Sequence, residues 1–530
     1  MGRKSLLAFA NVALGAALGL LALKFVALYM GRDAYGEVQY AIAILGILHL
    51  FTDFNIADAH VKRVSEGWPA DDCFVTFATI KLVSTVVFLT AGGLVLFAYG
   101  AVLDKPLESV TYPVLFAVMA YYAMKNAMTT AQSTFEAKVE TARVQLGNLV
   151  ETAVRVGLTF LGVWLFAATV TGTGPFAGRV AQDAPLAAFA REHPGAVIAL
   201  AYAGGAFAGA VTSVGFMLRA IHWRGRFRWD ILRSYWSFAL PLFLVSAVGV
   251  LSSLIDRTAL GFFGAAGDAA DLGAPRQIVS VLEAASAAAG ALLFPTLSAL
   301  ASRGDRAAVH VAVDRSVRYL SLLLLPMVAF LVAFPERVIL LTLSDQWRGA
   351  GPVLILLAVW IFLGILSRPL VNLLMGVNET RAAARIGIVS GLVNMVLVLL
   401  LVPEDIASLG LRLAGLKAVG AGIALLVSAV VSYLLLLRAA REVVGYAPSA
   451  PVWKHVVAAA LMAALLHAFD AWGPLPLAHW WSFPIYGALG LGAYVGVLVS
   501  MGELTRADYD YVRRAIHMGE MVRYIRSEFR

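Results

Sequence analysis

Residues 6–30 read LLAFANVALGAALGLLALKFVALYM, an apolar run whose only charged residue is Lys24. A helix needs about 20 predominantly apolar residues to cross the hydrocarbon core of a bilayer. The apolar core of a signal peptide is shorter, about 7 to 15 residues, and a small-residue cleavage site should follow it. No such site follows Met30, so we expect a retained first transmembrane helix.

The composition of the whole chain points the same way. Of its 530 residues, 60% are hydrophobic before the 47 glycines are counted, 14% are charged, and the mean hydropathy is +0.81. Soluble domains contain about 45 to 50% apolar residues with glycine included, and about 25% charged residues. The net charge of +8 does not indicate nucleic-acid binding, because Lys and Arg also accumulate on cytoplasmic loops. The single cysteine, Cys73, excludes an intramolecular disulfide.

The sequence predicts an all-α polytopic membrane protein with fourteen transmembrane helices. The predicted spans are 6–30, 36–58, 74–99, 111–132, 146–170, 195–219, 235–263, 276–298, 319–341, 351–375, 386–403, 416–437, 453–471 and 480–501. We expect an N-terminal six-helix bundle at 1–220, a basic cytoplasmic linker at 221–234 and a second six-helix bundle at 235–438. A helix hairpin at 453–501 should follow, and residues 502–530 have the spacing of an amphipathic cytoplasmic tail.

Basic residues in the loops predict the orientation of the chain. With the N-terminus inside, the inner segments contain 26 of the 41 Lys and Arg residues, and the outer loops contain 8, among them Arg276. By the positive-inside rule, this asymmetry places both termini in the cytoplasm.

The two halves of the chain resemble each other. A shift of 243 positions aligns Lys125 with Arg368, and a shift of 232 positions places Lys24 opposite Asp256. Both halves would begin inside, so they would be parallel repeats around an axis along the membrane normal. A substrate path would then lie between the two bundles.

Seven Lys and Arg residues fall inside predicted spans. A cation facing lipid costs about 2.5 to 3.5 kcal/mol, so charges inside a membrane indicate a functional site by default. The expected substrate-binding cations of a central lumen are Lys24, Lys125, Arg155, Arg257 and Arg368. Lys81 and Arg337 lie nearer helix ends, where the side chain can instead extend to the interface.

Acidic residues in the spans are candidates for gating or ion coupling. They are Asp53, Asp256 and Glu283. We expect Asp256 to face Lys24 across the two halves, because an unpaired charge is costly in a low-dielectric site. Glu151 and Arg155 are four residues apart on one helix face and should form an ordinary i,i+4 pair.

Sequence motifs of catalysis are absent. The chain contains no GxxxxGK[ST], HExxH, CxxC or GxSxG pattern. We therefore expect a protein that is not an enzyme, with no catalytic residue, cofactor or metal site. Glycines four residues apart, at 15 and 19, 205 and 209, 387 and 391, and 492 and 496, follow the pattern of close helix packing.

Five stretches, in order along the chain, carry a resemblance to a known family. They are YMGRDAYGEVQYAIAILGILHLFTDFNIADAHVKRVSE from Tyr29, SFALPLFLVSAVGVLSSLIDRTALGFFG from Ser237, LFPTLSALASRGD from Leu293, LLMGVNETRAAARIGIVSGLVN from Leu373 and KAVGAGIALLVS from Lys417. Over about residues 1–440 the chain resembles Wzx-type lipid-linked oligosaccharide flippases of the multidrug/oligosaccharidyl-lipid/polysaccharide exporter (MOP) superfamily. Leu272 departs from the family pattern, which usually has an aromatic residue there.

The resemblance implies an alternating-access transporter with two six-helix bundles around a central lumen. The family turns an isoprenoid-diphosphate-linked oligosaccharide from the cytoplasmic to the outer leaflet, for surface polysaccharide or glycoprotein synthesis. A lumen rich in cations suits a diphosphate. Two alternatives are a cation-coupled multidrug exporter of the same superfamily and a membrane glycan polymerase or ligase, which would usually need a larger outer loop.

The same resemblance implies the setting in which the chain works. Expected partners are the lipid-linked glycan, the bilayer and, as candidates, glycosyltransferases or a polymerase of the same pathway. We expect a monomer that binds no nucleic acid. Its expected location is the plasma membrane of a prokaryote, as a multi-pass protein with both termini cytoplasmic.

Reporter fusions test the predicted orientation. A reporter fused after Ser234 should be cytoplasmic and one near Gln182 external, because the basic loops fix the inside face. Alkaline phosphatase and green fluorescent protein activities of the two fusions would measure this. Reversal of either signal would contradict the orientation.

Overall fold

The computed structural model describes residues 2–101, 110–138, 140–170, 172–173, 185–220, 225–283, 306–377, 379–406, 411–448, 451–473, 475–477, 479 and 481–504. Within these residues, twelve helices are long and apolar enough to cross a membrane. The rest of the described regular structure consists of further helices and one antiparallel pair of short strands. The predicted class, an all-α polytopic membrane protein, is confirmed.

The helices follow the predicted spans closely. The first nine are α1 Gly2–Tyr29, α2 Gly31–Asp53, α3 Ile56–Ser65, α4 Ala70–Ala101, α5 Tyr112–Ala137, α6 Thr141–Val170, α7 Pro185–Glu192, α8 Pro194–Ala220 and α9 Trp229–Phe263. Helix α10 is described over 266–283. The later elements are α11 Arg306–Ala333, α12 Pro335–Thr342, a 3-10 helix Asp345–Ala350, α13 Gly351–Gly376, α14 Thr380–Leu401, β1 Asp405–Ile406, β2 Leu411–Arg412, α15 Lys417–Val444, α16 Val452–Trp472 and α17 Ser482–Ser500.

Two of the fourteen predicted spans are not among the twelve candidate spans of the described residues. One corresponds to α5, a helix of 26 residues. The other, predicted at 276–298, corresponds to α10, which begins at 266, and its part beyond 283 lies outside the described residues. The tail predicted beyond 504 and the reporter position near Gln182 also lie outside them.

A helix break interrupts the span predicted at 36–58. Helix α2 ends at Asp53 because Phe54 and Asn55 adopt left-handed backbone conformations, with φ of 48° and 54°. Such conformations are uncommon for residues other than glycine. Side-chain contacts hold the turn: Asn55 Nδ2 donates to Ser246 Oγ at 2.6 Å, and the Phe54 ring lies 4.8 Å from that of Phe243.

The linker predicted at 221–234 is partly helical. Helix α9 begins at Trp229, and the described residues before it, 225–228, are not helical. Arg228 pairs with Asp230 at 2.6 Å and with Asp72 at 3.4 Å. These contacts fix the start of α9 next to the start of α4; residues 221–224 lie outside the described part of the chain.

The helices form two compact units. The first unit contains residues 14–277 and 391–424, and the second contains 1–13, 278–390 and 425–530. Helix α9 and the start of α10 therefore belong with the N-terminal helices. This boundary differs from the one that the sequence repeat places near residue 235, and the two symmetric six-helix bundles stay a prediction.

A buried polar junction connects α3, α4, α5 and α9 in the first unit. His60 is fully buried, with Nδ1 2.9 Å from Tyr235 Oη and Nε2 2.9 Å from Thr134 Oγ1. Its ring stacks on Phe77 at 4.3 Å. Tyr235 donates its one hydroxyl proton to the carbonyl oxygen of Cys73, so it accepts from His60 Nδ1–H. This assigns the neutral Nδ1–H tautomer to His60.

The second unit has its own polar anchor at the end of α17. Glu503 is nearly buried and accepts a hydrogen bond from Arg318 Nε at 2.6 Å. Lys454 Nζ and His455 Nε2 each lie 3.5 Å from the Glu503 carboxylate, and Ser321 Oγ lies 2.7 Å from His455 Nδ1. The end of α17 is thereby fastened to α11 and α16.

His60 gives a prediction about pH. Burial lowers the pKa of His60 to about 3, whereas an exposed histidine has a pKa of about 6.5. As the pH falls below about 6.5, the unfolded chain takes up a proton that the folded chain does not, so the free energy of unfolding should fall. The thermal midpoint in detergent should drop between about pH 7 and pH 4.5, and less in His60→Gln. Equal drops in both proteins would contradict this role of His60.

Candidate functional site

Two helices of the first unit, α5 and α6, bring two cations to one carboxylate. Lys125 Nζ on α5 lies 3.9 Å from Oε2 of Glu151 on α6. One turn along α6, Arg155 Nε lies 3.3 Å from Glu151 Oε1, which confirms the predicted i,i+4 pair. Lys125, Glu151 and Arg155 are called the cationic cluster below.

Two glycines on α8 allow the cluster to form. A Cβ atom on Gly205 would lie 2.5 Å from Cβ of Arg155 and 2.8 Å from the carbonyl oxygen of Glu151. A Cβ atom on Gly209 would lie 2.8 Å from Cβ of Glu151. Contacts this short are not tolerated, so α8 approaches α6 closely only because both residues are glycine. The small-residue pattern at 205 and 209 is confirmed as a site of close helix packing.

Burial within the cluster is uneven. The side chain of Glu151 is 9% exposed, that of Arg155 20% and that of Lys125 32%. The guanidinium of Arg155 also lies over the ring of Tyr202, 5.0 Å from its centroid. The carboxylate is thus less exposed than either cation. The cluster carries one positive charge in excess.

A small cavity adjoins the cluster on the side of Arg155. Its polar lining comes from Tyr35, Arg155, Thr159, Tyr202 and Gln277, all in the first unit. The cavity volume of about 30 Å³ admits one or two water molecules. A cavity of this volume does not accommodate a diphosphate.

A second polar group lies on α9, α10 and α14. Asp256 is fully buried, and its Oδ1 accepts a hydrogen bond from Asn394 Nδ2 at 3.1 Å. Its Oδ2 lies 3.6 Å from Arg276 Nη1. The adjacent Arg257 donates instead to Gln39 Oε1 at 2.8 Å, so the two neighbours point in different directions, as the sequence predicts.

The predicted pairing of Lys24 with Asp256 stays a prediction. The ion-pair partner of Asp256 among the described residues is Arg276, and Lys24 is half-buried on α1. The sequence analysis counted Arg276 as a residue of an outer loop, because the apolar stretch begins only there. Helix α10 begins ten residues earlier, at 266, and so directs Arg276 toward α9.

Ion pairs explain why α10 begins in a polar stretch. Arg32 donates to both carboxylate oxygens of Asp271, at 2.7 and 2.5 Å, and lies 3.4 Å from Asp268. Lys417 Nζ lies 3.4 Å from the other oxygen of Asp268. These pairs stabilise charges that a search for apolar stretches excludes from a helix.

The remaining predicted site residues lie apart from the cationic cluster. Asp53 pairs with Lys81, which is 3% exposed, so Lys81 is buried and does not extend to the interface. Arg368 is exposed on α13 and forms no ion pair with the residues that the structure describes. Glu283 is half-buried at the last described position of α10. Lys125 and Arg368 belong to different units, and their shared cavity stays a prediction.

The sequence analysis missed three members of these groups. Gln39 and Asn394 are uncharged, and Arg276 was assigned to a loop. Polar residues inside membrane spans are rare because each needs a partner, so an inventory that includes amides as well as charges would have found Gln39 and Asn394.

Comparison with known proteins identifies the fold. Residues 196–352 match the model of a family described as polysaccharide biosynthesis protein. An uncharacterised membrane protein of Methanocaldococcus jannaschii is 21% identical over 175 residues, 33% of this chain and 34% of that protein. The alignment therefore spans about a third of that relative's length.

Solved structures cover far more of the chain. The lipid II flippase MurJ in an inward closed conformation has a TM-score of 0.70 at 11% identity, over 92% of this chain and 97% of MurJ. An inward-facing multidrug resistance MATE family transporter of the MOP superfamily has a TM-score of 0.56 at 15% identity, over 81% and 95%. The chain has the MOP-superfamily fold. The resemblance found in the sequence is confirmed at this level.

Asp256 provides a test of the buried pair in this MOP fold. In Asp256→Asn the carboxylate that faces Arg276 is lost, and removing one partner of a buried pair costs about 3 to 5 kcal/mol. The thermal midpoint in detergent should fall clearly, and the double variant Asp256→Asn, Arg276→Gln should recover part of the loss.

The exposed pair of Asp345 and Arg348 supplies a matched control, since these side chains are 82% and 70% exposed. Asp345→Asn should change stability by less than about 1 kcal/mol. An Asp256→Asn variant as stable as the Asp345→Asn control would show that the buried pair does not stabilise the first unit.

Proposed function

We propose that this protein is a membrane transporter that moves an isoprenoid-diphosphate-linked oligosaccharide from the cytoplasmic to the outer leaflet by alternating access. The observation that carries the proposal is the cationic cluster. Two cations on membrane-spanning helices share one carboxylate, and both cations are more exposed than the carboxylate. A diphosphate can contact both, because arginine binds phosphate oxygens through a fork of donors and lysine acts as a point charge.

The comparisons support this choice of substrate class. The matched family model has the description polysaccharide biosynthesis protein, and one solved structure of the same fold is a lipid II flippase. We propose that the transported oligosaccharide is used for surface polysaccharide or glycoprotein synthesis. The protein would act as a monomer in the plasma membrane of a prokaryote, with both termini cytoplasmic and with glycosyltransferases or a polymerase of the pathway as partners.

A multidrug exporter is the second candidate function. The structural similarity to a MATE family transporter favours it. The charge of the cluster favours an anionic substrate instead, because a cationic drug would meet Lys125 and Arg155 with one carboxylate between them. Transport of a lipid-linked diphosphate therefore accounts for the cluster better.

Complementation tests the proposal. Expression in flippase-deficient strains should restore surface glycan when the strain's lipid-linked oligosaccharide suits the protein. Lys125→Gln and Arg368→Gln should each lower the restored glycan severalfold without lowering the protein level, because each removes a cation expected to bind phosphate. Surface glycan and membrane protein would be measured by immunoblotting.

The control for these variants is Arg438→Gln. Arg438 is 77% exposed and pairs with Glu442 on α15, so its loss should leave restored glycan unchanged. Full activity in the double variant Lys125→Gln, Arg368→Gln would exclude these two cations from the substrate site.

A further inference from the structure

The carboxylate of Glu151 contacts both cations of the cluster. Glu151 is the most buried of the three side chains, and each cation contacts a different oxygen of its carboxylate. The distances of 3.9 and 3.3 Å exceed the 2.7 to 2.9 Å that is usual for charge-assisted hydrogen bonds. Charge attraction, rather than a fixed pair of hydrogen bonds, therefore joins Glu151 to Lys125 and Arg155.

The backbone at Glu151 has little freedom to move away. Gly205 and Gly209 bring α8 against the backbone and Cβ of this residue. Thr152 Oγ1 lies 3.3 Å from Glu151 Oε2 and adds a polar contact on the same helix. An anion that reaches Lys125 and Arg155 from their exposed side would therefore have the Glu151 carboxylate directly behind them.

This arrangement has opposite effects on binding and on release. Without Glu151, two cations would stand in the membrane with no acid beside them, and a diphosphate would be bound by both. With Glu151 in place, the carboxylate repels the bound phosphate and offers each cation an alternative partner when the phosphate leaves. A transport site must bind its substrate strongly enough for the substrate to enter and weakly enough for the substrate to leave.

We propose that Glu151 is a built-in competitor of the substrate diphosphate for Lys125 and Arg155, and that its function is to allow the substrate to leave. This role rests on the proposed function, since it requires the cluster to bind phosphate during transport. Glu151 acts through the two cations, so it is a positioning residue. The chemical class that it competes with is a phosphate-type anion carrying two negative charges.

The key variant is Glu151→Gln, which removes the charge and keeps the shape of the side chain. Binding of inorganic pyrophosphate and of farnesyl diphosphate to the full-length protein in detergent would be measured by isothermal titration calorimetry. We expect the dissociation constant of both probes to fall at least about tenfold, and transport in the complementation assay to fall severalfold. Tighter binding with slower transport is a result that mere damage to the fold would not produce.

Three further variants make the result specific. Glu151→Asp keeps the charge one methylene further from the cations, so its dissociation constants should lie between those of wild type and Glu151→Gln. Lys125→Gln should weaken binding of both probes. Glu140→Gln, at the position just before α6 begins and paired with Arg143 at 2.6 Å, should change neither binding nor transport.

Each outcome decides the matter. If Glu151→Gln folds and binds pyrophosphate as weakly as wild type or more weakly, Glu151 is not a competitor. If Glu151→Gln does not fold, Glu151→Asp replaces it in the test. An affinity of Glu151→Asp for pyrophosphate that is no higher than that of wild type would also show that Glu151 is not a competitor. Failure of the wild-type protein both to bind the probes and to complement any flippase-deficient strain would overturn the proposed function itself.

Discussion

A charge inside a membrane needs a counter-charge or a polar partner, and this requirement arranges the first unit. Asp53 and Lys81 form a pair of opposite charges that balance each other, whereas Glu151 contacts two cations at once. The cationic cluster on α5 and α6 therefore carries an excess positive charge that the pair of Asp53 and Lys81 does not. An anion would gain more there than at the balanced pair, which is why we propose the cluster, and not the pair of Asp53 and Lys81, as the substrate site.

The cluster depends in turn on close packing of α6 and α8. Lipid surrounds these helices with a medium as apolar as their own side chains, so close packing and polar contacts have to hold them together. Gly205 and Gly209 provide that packing at the level of Glu151 and Arg155. A carboxylate with a fixed backbone can compete with a substrate at a constant distance, which a carboxylate on a mobile loop could not do.

Polar contacts between residues distant in sequence complete the first unit. Gln39 accepts from Arg257, and Asn55 donates to Ser246, so α2 and the turn that follows it are both joined to α9. His60 adds a third junction through Tyr235. Each contact joins the N-terminal helices to α9, which explains why the compact unit includes α9 although the sequence repeat assigns it to the second half.

The sequence by itself predicted twelve of the helices that are long and apolar enough to cross a membrane, because a long apolar run is stable in lipid as a helix. It also determined the pair of Glu151 and Arg155, since residues four apart share a helix face. It misplaced the start of α10, because the acids there are stabilised by partners such as Arg32 that lie far away in sequence. Tertiary structure alone decided that Asp256 meets Arg276 and that Lys125 meets Glu151. Those pairings depend on how the helices are rotated and on how closely they approach one another, which no local pattern of residues specifies.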